Sequence, residues 1–324
     1  MTSFWKGKRV LVPGGAGFIG SSVVDLLVTY GARVRVLDDL SSGDWSRLEH
    51  HGDRIQRTTV DLVSGDATQH FLHTDAVLNL AGRAPGLMLD DSRHERLYQE
   101  NVRIADAVLQ ASLAAGVSRL LVVSSSCVYP DNAPVPTAEE PLGGTSPEQA
   151  NRGYGRAKRE IEARATLAVG QGTSITIARP FNACGPRDQA TGSGAHVIPS
   201  LLTRVLDPNS SELLVWGSGN QSRSFIDSRD VASALLQLTE KHPYPDPVNI
   251  GSDEEITMRE LVETLMRLCS VKKVIRYDTT KPEGALRKAC NPAKLIQLTG
   301  FQPKYRLSDS LAEIVAARRS VVSP

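Results

Sequence analysis

The stretch PGGAGFIG, residues 13–20, holds four glycines in eight positions. It follows the short apolar run KRVLV. It leads into SSVVDLLVTYGA, where apolar residues recur at helical spacing and stop at a glycine. A strand that breaks into glycines and opens a helix presents backbone N–H groups at a helix N-terminus, and the missing side chains let a pyrophosphate come close. RVRVLDD then alternates as a strand does. Asp38 ends it, at the ~20-residue spacing where a carboxylate meets the adenosine ribose of a dinucleotide. The expected dinucleotide contacts are therefore Gly14, Gly17, Phe18, Ile19, Gly20 and Asp38, with Asp61 and Leu62 after the third strand beside the adenine. A carboxylate accepts hydrogen bonds from a 2′-hydroxyl and repels a 2′-phosphate. Asp39, Leu40, Ser41 and Ser42 add no arginine that would reverse this, so NAD is expected over NADP.

Further along, DAVLNLAG, SRLLVVSSS and SITIARP read as strands, each preceded by a helix-like stretch. Such alternation builds βαβ units on a parallel sheet covered on both faces. The expected fold class is α/β: a doubly wound parallel sheet (Rossmann) with a smaller C-terminal α/β substrate-binding domain. The texture changes after Arg179-Pro180. FNACGPRDQATGSGAH reads as a glycine-rich loop and HVIPSLLTRVL as a helix. LLVWGSGNQSRSFID reads as strand, turn and strand. TMRELVETLMRLC is an amphipathic helix, with Thr257 as N-cap and Glu260 as its capping-box partner. Residues 1–180 are expected to bind the dinucleotide, with segments near 225–250 returning to that unit. Residues 181–324 are expected mainly to bind substrate at the carboxyl ends of the strands.

The bulk numbers exclude several classes. A net charge of +1 over 324 residues gives no electrostatic case for nucleic acid or an anionic membrane. Cys127, Cys184, Cys269 and Cys290 are scattered, with no CxxC or histidine cluster, so neither a disulfide framework nor a metal site is expected. The opening MTSFWKGKRV lacks the apolar region of a secretion signal, and no run approaches membrane-spanning length. A reduced, cytoplasmic protein is expected.

YGRAK sets Tyr154 and Lys158 four apart, on one face of a helix. An ammonium beside a phenol stabilises phenolate, so the tyrosine pKa is expected to fall and supply a general acid/base. GGAGFIG, SSSCVYP, YGRAK, RPFNACGP and WGSGNQSRSFID, in this order, resemble the extended short-chain dehydrogenase/reductase family over essentially the whole chain. The resemblance implies a bound nicotinamide cofactor and a nucleotide-diphosphate sugar as substrate, and dimerisation is common in that family. By motif match, Ser125 would hold the reacting oxygen, Tyr154 would be the acid/base, and Lys158 its partner on the nicotinamide ribose. Asn182 and Arg223 match positions that hold the diphosphate. Ser126, Val197, Arg204 and Arg287 are further substrate candidates, with Lys288 beside Arg287 as another phosphate contact.

Within the family, SSSCVYP followed by HVIPSLL is most similar to two groups, the GDP-mannose 3,5-epimerases and the GDP-fucose synthases. In both, a cysteine after the serines pairs with a base across the sugar ring. Cys127 fits the first position, and His196 the second in its synthase form. The chemistry needs both. Taking hydride from C4 makes a ketone that acidifies the hydrogens at C3 and C5, and two groups must then exchange protons on opposite faces. Three readings follow. One is an NAD-dependent epimerase of a nucleotide sugar, expected to be a GDP-hexose; another is a fucose-synthase-like NADPH enzyme; the third is a UDP-sugar 4-epimerase with an idle thiol. A dinucleotide-sensing scaffold would not need Ser125, Tyr154 and Lys158 together. NLAGRAPGLML departs from the double glycine usual in these groups, in a loop expected to border the sugar. ACNPAKL has Asn291 where an aspartate is frequent.

Overall fold

A computed structural model describes residues 3–65, 67–84, 90–188, 196–281 and 284–322. The first strand, β1 (Arg9–Pro13), shows why the main sheet has helices on both sides. Val10 and Val12 join one core while Leu11 joins another, and all three are buried. A strand buried on both faces reads as a continuous apolar run, the mark of a parallel sheet. The chain continues through α1 (Phe18–Thr29), β2 (Arg33–Asp38), β3 (Ile55–Thr59), β4 (Ala76–Asn79), α2 (Asp91–Ala114), β5 (Arg119–Val123), α3 (Arg152–Leu167) and β6 (Ser174–Pro180). With β10 (Val248–Ile250), the strands form a seven-stranded parallel sheet in the order β10-β6-β5-β4-β1-β2-β3. The direction of strand progression reverses between β1 and β4, and ligands of open α/β sheets bind at the crevice this leaves.

The second part of the chain adds β7 (Asn182–Cys184), α4 (Val197–Leu206), β8 (Glu212–Trp216), β9 (Ser222–Asp227) and α5 (Ser228–Lys241). After β10 come β11 (Glu255–Thr257), α6 (Met258–Cys269), β12 (Val274–Asp278), β13 (Arg287–Lys288), α7 (Ala293–Thr299) and α8 (Leu307–Val322). Helix α5 packs on α1, and β10 pairs with β6 at the edge of the main sheet. A separate core gathers Leu201, Leu213, Phe225, Leu261, Leu265 and Leu311 from α4, β8, β9, α6 and α8. The strands flanking WGSGNQ do not pair with each other. β8 lies beside β12, while β9 pairs with β7, β11 and β13. Part of the expected glycine-rich loop is thus strand β7, because Asn182–Cys184 find a partner in Phe225–Asp227. The capping box of α6 forms in full: Thr257 Oγ1 accepts from the Glu260 amide (3.2 Å), and the Thr257 amide donates to Glu260 Oε2 (2.9 Å). Among the described residues, no helix is long and apolar enough to cross a membrane.

Candidate active site

The glycine turn between β1 and α1 lines a cleft together with the end of β2 and the turns after β3 and β4. Gly14, Gly17, Asp38, Asp61 and Leu62 all face it. A Cβ at Gly20 would fall 2.1 Å from the Gly14 carbonyl oxygen, so α1 can begin against the turn only with glycine there. Phe18 and Ile19 open α1. Asp38 is buried. Its Oδ2 accepts from the Ala16 amide (3.0 Å) and its Oδ1 from the Leu40 amide (2.9 Å). Burial pushes this carboxyl above the ordinary range, and the two amides only partly pull it back. A glycine turn free of side chains and a carboxylate at the end of β2, both on one cleft, fit a pyrophosphate and a ribose. The described part of the NLAGRAPGLML loop, Leu80–Arg83, borders this nucleotide cleft; residues 85–89 lie outside the described residues.

The second half of the site starts where β5 ends. Ser125 caps a single 3₁₀ turn, Ser126–Val128, and its Oγ accepts from the Cys127 amide at 3.2 Å. The first turns of α3 lie against this turn: a Cβ at Gly155 would come within 2.4 Å of the Cys127 carbonyl oxygen. That contact brings the Tyr154 hydroxyl to a hydrogen bond with Ser125. Lys158 Nζ lies 5.3 Å from the Tyr154 ring centre and donates to the Val123 carbonyl at 2.8 Å. The expected drop in the tyrosine pKa is not what this geometry produces. Burial pushes the phenol well above its ordinary value, and the same burial lowers Lys158 to about 8. Helical spacing set the two side chains on one face but carried no information on their surroundings, where Lys158 is buried and Tyr154 partly so.

Cys127 is buried, and its thiol meets two residues from elsewhere in the chain. Lys288 Nζ, on β13, stands 4.0 Å from Cys127 Sγ and 2.5 Å from Glu148 Oε2, and Glu148 also hydrogen-bonds the thiol. Burial alone would raise the Glu148 acid and lower the Lys288 ammonium. Their mutual pairing outweighs it, leaving Glu148 below and Lys288 above the usual range. Burial also holds the Cys127 thiol above its usual value, in the protonated form. Arg223 lies near enough to act electrostatically on both Glu148 and Lys288, and its Nη1 donates to the Ala285 carbonyl at 2.7 Å. Lys288, read from sequence as a phosphate contact, is committed here to the thiol and to Glu148. Glu148 was not anticipated. Its one signal is its place in the loop just before the Tyr154 helix.

The remaining candidates are placed as follows. His196 caps α4, with Val197 the first helical residue. His196 Nδ1 lies 3.0 Å from Asp188, and its ring centre is 6.3 Å from that of Phe18, beside the glycine turn. The Asp188 carboxylate raises the imidazole pKa. Ser126 is buried in the thiol-bearing turn. Asn182 Nδ2 donates to the Ser224 carbonyl at 2.9 Å. Arg204 donates to the Leu214 carbonyl and lies over the Trp216 ring. Arg287, half-exposed, is paired with Glu255. The structure also gathers Asp25, His50 and His51, which no spacing suggested, but the Asp25 carboxylate is shared with Arg187.

A buried polar network stands behind the thiol turn. Arg179 makes two contacts to Glu162, at 2.8 and 2.6 Å, and Glu162 also takes Ser124 Oγ. Arg179 donates to Tyr129 Oη, which donates to Asn249 Oδ1 at 2.7 Å. The network ties β5, α3, β6 and β10 together directly beneath Ser125–Val128.

The sequence pattern of the NAD dependent epimerase/dehydratase family matches residues 10–251. The chain belongs to that family. A member of similar sequence is a GDP-L-fucose synthase of Sinorhizobium fredii, 30% identical over 95% of this chain and 94% of its own length. A dTDP-4-dehydro-6-deoxy-D-allose reductase of Streptomyces sp. is 29% identical over 93% of each chain. Among solved family members, the UDP-glucose 4-epimerase of Thermotoga maritima superposes with a TM-score of 0.84. It is 26% identical and covers 97% of this chain and 100% of its own.

Proposed function

We propose that the protein is an NAD-dependent epimerase of a nucleotide-diphosphate hexose, a GDP-hexose in the first instance, inverting C3, C5 or both through a transient C4 ketone. The observation that carries this reading is the buried Cys127 thiol, in contact with Glu148 and Lys288 and one turn from the Tyr154–Ser125 hydrogen bond. A redox step alone would need only the serine–tyrosine–lysine set. A thiol held in a proton-exchanging cluster beside it suits chemistry at the carbon next to the carbonyl. NAD bound in the cleft would take up the C4 hydride and return it.

The chain's own residues then have distinct tasks. Ser125 orients the reacting hydroxyl, and Tyr154 accepts its proton and later gives it back. Lys158 supplies positive charge near the phenol as that proton leaves. With the ketone in place, Cys127 is in the form that donates a proton to C3 or C5. His196, its Nδ1 turned to Asp188, has Nε2 available to remove the proton from the other face. The tautomer follows from the Asp188 contact rather than from an observed hydrogen. Arg223 and Asn182 are the diphosphate candidates. Asp38 favours NAD, because a 2′-phosphate would meet a buried carboxylate.

A second reading is favoured by His196 and by the fucose-synthase relative: epimerisation of a 4-keto-6-deoxy sugar followed by net reduction with NADPH. One experiment separates the readings. The purified protein, with its co-purified nucleotide identified by mass spectrometry, is incubated with GDP-, UDP-, CDP- and dTDP-hexoses in D₂O without added cofactor. The first reading expects bound NAD(H) and deuterium at C3 or C5 of an epimerised GDP-sugar. Cys127→Ser should lose that deuterium while still showing transient reduced nicotinamide. Absolute dependence on NADPH moves the assignment to the second reading. Inversion at C4 with no solvent deuterium assigns a 4-epimerase and leaves the thiol structural.

A further inference from the structure

At the rim of the dinucleotide cleft the end of β2 meets the turn after β4, and two charges face each other there. Arg83 Nη2 lies 2.6 Å from Asp39 Oδ2, and Nη1 lies 3.3 Å from Asp39 Oδ1 and also contacts Ser41 Oγ. Arg83 is fixed at its backbone. Its amide donates to Asn101 Oδ1 (3.0 Å), and its carbonyl accepts from Asn101 Nδ2 (3.1 Å). Asp39 also accepts from the Ser41 amide and hydroxyl. Partial burial would raise Asp39, but Arg83 and Ser41 outweigh it and lower its pKa to about 2, so it stays ionised at working pH. Asp38, Asp39, Ser41, Asp61 and Arg83 line one cleft, and Arg83 is the one cation among the described residues that do. The nearby Arg47 donates to the carbonyls of Ala16 and Ser42, so it is committed to the loop backbone.

We propose that Asp39 and Arg83 form a latch that sets cofactor choice in addition to Asp38. With the latch closed, the Nη edge of the guanidinium is spent on Asp39 while Nε lies 3.7 Å from Glu100, and Asp38 and Asp61 leave the ribose end anionic. A 2′-phosphate then finds repulsion and no partner, while a 2′-hydroxyl finds acceptors. With Asp39 neutral, Arg83 keeps its place at the rim but gains a free guanidinium edge, the group best shaped to hold a phosphate. The inference rests on the reading of this cleft as an NAD site, and it goes beyond the role already given to Asp38.

Affinities for NAD⁺ and NADP⁺, measured by titration calorimetry on the full chain stripped of nucleotide, test it. The native protein should prefer NAD⁺. Asp39→Asn, which keeps an acceptor for Ser41, should raise the NADP⁺/NAD⁺ affinity ratio about fivefold to tenfold, the scale of one partly exposed charge contact. Arg83→Gln should lower the ratio by leaving Asp39 uncompensated. The double variant should lose the gain. The latch is overturned when Asp39→Asn leaves the ratio unchanged, or when the gain survives Arg83→Gln; Asp39→Ser gives the same reading if the asparagine variant does not fold. A native protein that binds NADP⁺ more tightly, or neither dinucleotide, overturns the NAD reading itself and the latch with it.

Discussion

The cleft proposed for the dinucleotide takes its glycine turn and its acid from one β1–α1–β2 unit, residues 9–38. The thiol end is gathered differently: Cys127 from the turn after β5, Glu148 from a loop, and Lys288 from β13, 161 residues beyond the cysteine. The first end is built from backbone amides and short side-chain bonds that neighbours in the chain supply. The second is built from buried charges that must compensate one another, and it sits on a further buried pair, Arg179–Glu162. Local construction tolerates error, since each contact forms with its own turn. Distant construction does not, because a buried charge without its partner costs more than the pair contributes. Substitutions at the nucleotide end should therefore read out as affinity, and substitutions beneath the thiol end as stability as well as rate.

The largest effect is expected at the phenol. Tyr154→Phe should slow the hydride step by about 10²–10⁴-fold in single-turnover absorbance of reduced nicotinamide, the usual range for a positioned acid/base. Native-like rates would remove Tyr154 from the chemistry. Arg179→Met should cost about 3–5 kcal/mol in denaturant unfolding, because Glu162 is left charged and buried. A loss below about 1 kcal/mol, the range of an exposed pair, would mean that the polar network does not hold up the site. Glu148→Gln keeps the shape but takes the anion from Lys288. Deuterium entry at C3 or C5 should slow about tenfold to a hundredfold, the scale of coupling between residues of one charged network, and more than hydride transfer does. Equal slowing of both would merge the two halves of the site into one.

The smallest effect belongs to the nucleotide end. Asp38→Asn should weaken NAD about tenfold, the scale of one hydrogen bond to a charged group. Its pH dependence has a definite sign. Burial raises Asp38, so it protonates at a higher pH than an ordinary aspartate, and on the NAD reading the ribose hydroxyl then loses a charged acceptor. NAD affinity of the native protein should fall on acidification, beginning above the usual aspartate range, and Asp38→Asn should flatten that profile in calorimetric titrations. An unchanged profile would move the titrating group elsewhere.

The same contrast explains what could be read before any fold was known. The strand–turn–helix of residues 9–38 and the capping box of Thr257 and Glu260 are written in periodicity and in residue types at short spacing, so they were legible. Ser125, Cys127, Tyr154 and Lys158 were legible as spaced motifs, but their burial was not, and burial decides the direction of the tyrosine shift. Lys288 was visible as a charge in KPEGALRK. Its partners were not, because they depend on where β13 passes. Glu148, in SPEQ, and Arg83, in a loop with no motif of its own, carry no local mark. Their importance lies in the groups they meet across the fold.

Strand β13 has one more consequence. It is clamped on both sides, by β9 through the pairing of Lys288 with Arg223, and by the loop at Thr137, whose amide donates to the Ala289 carbonyl at 2.8 Å. A ribosome making this chain delivers Ser125, Cys127, Tyr154 and Lys158 well before it delivers Lys288. The thiol therefore meets its lysine only once β13 has been made and has found its place beside β9.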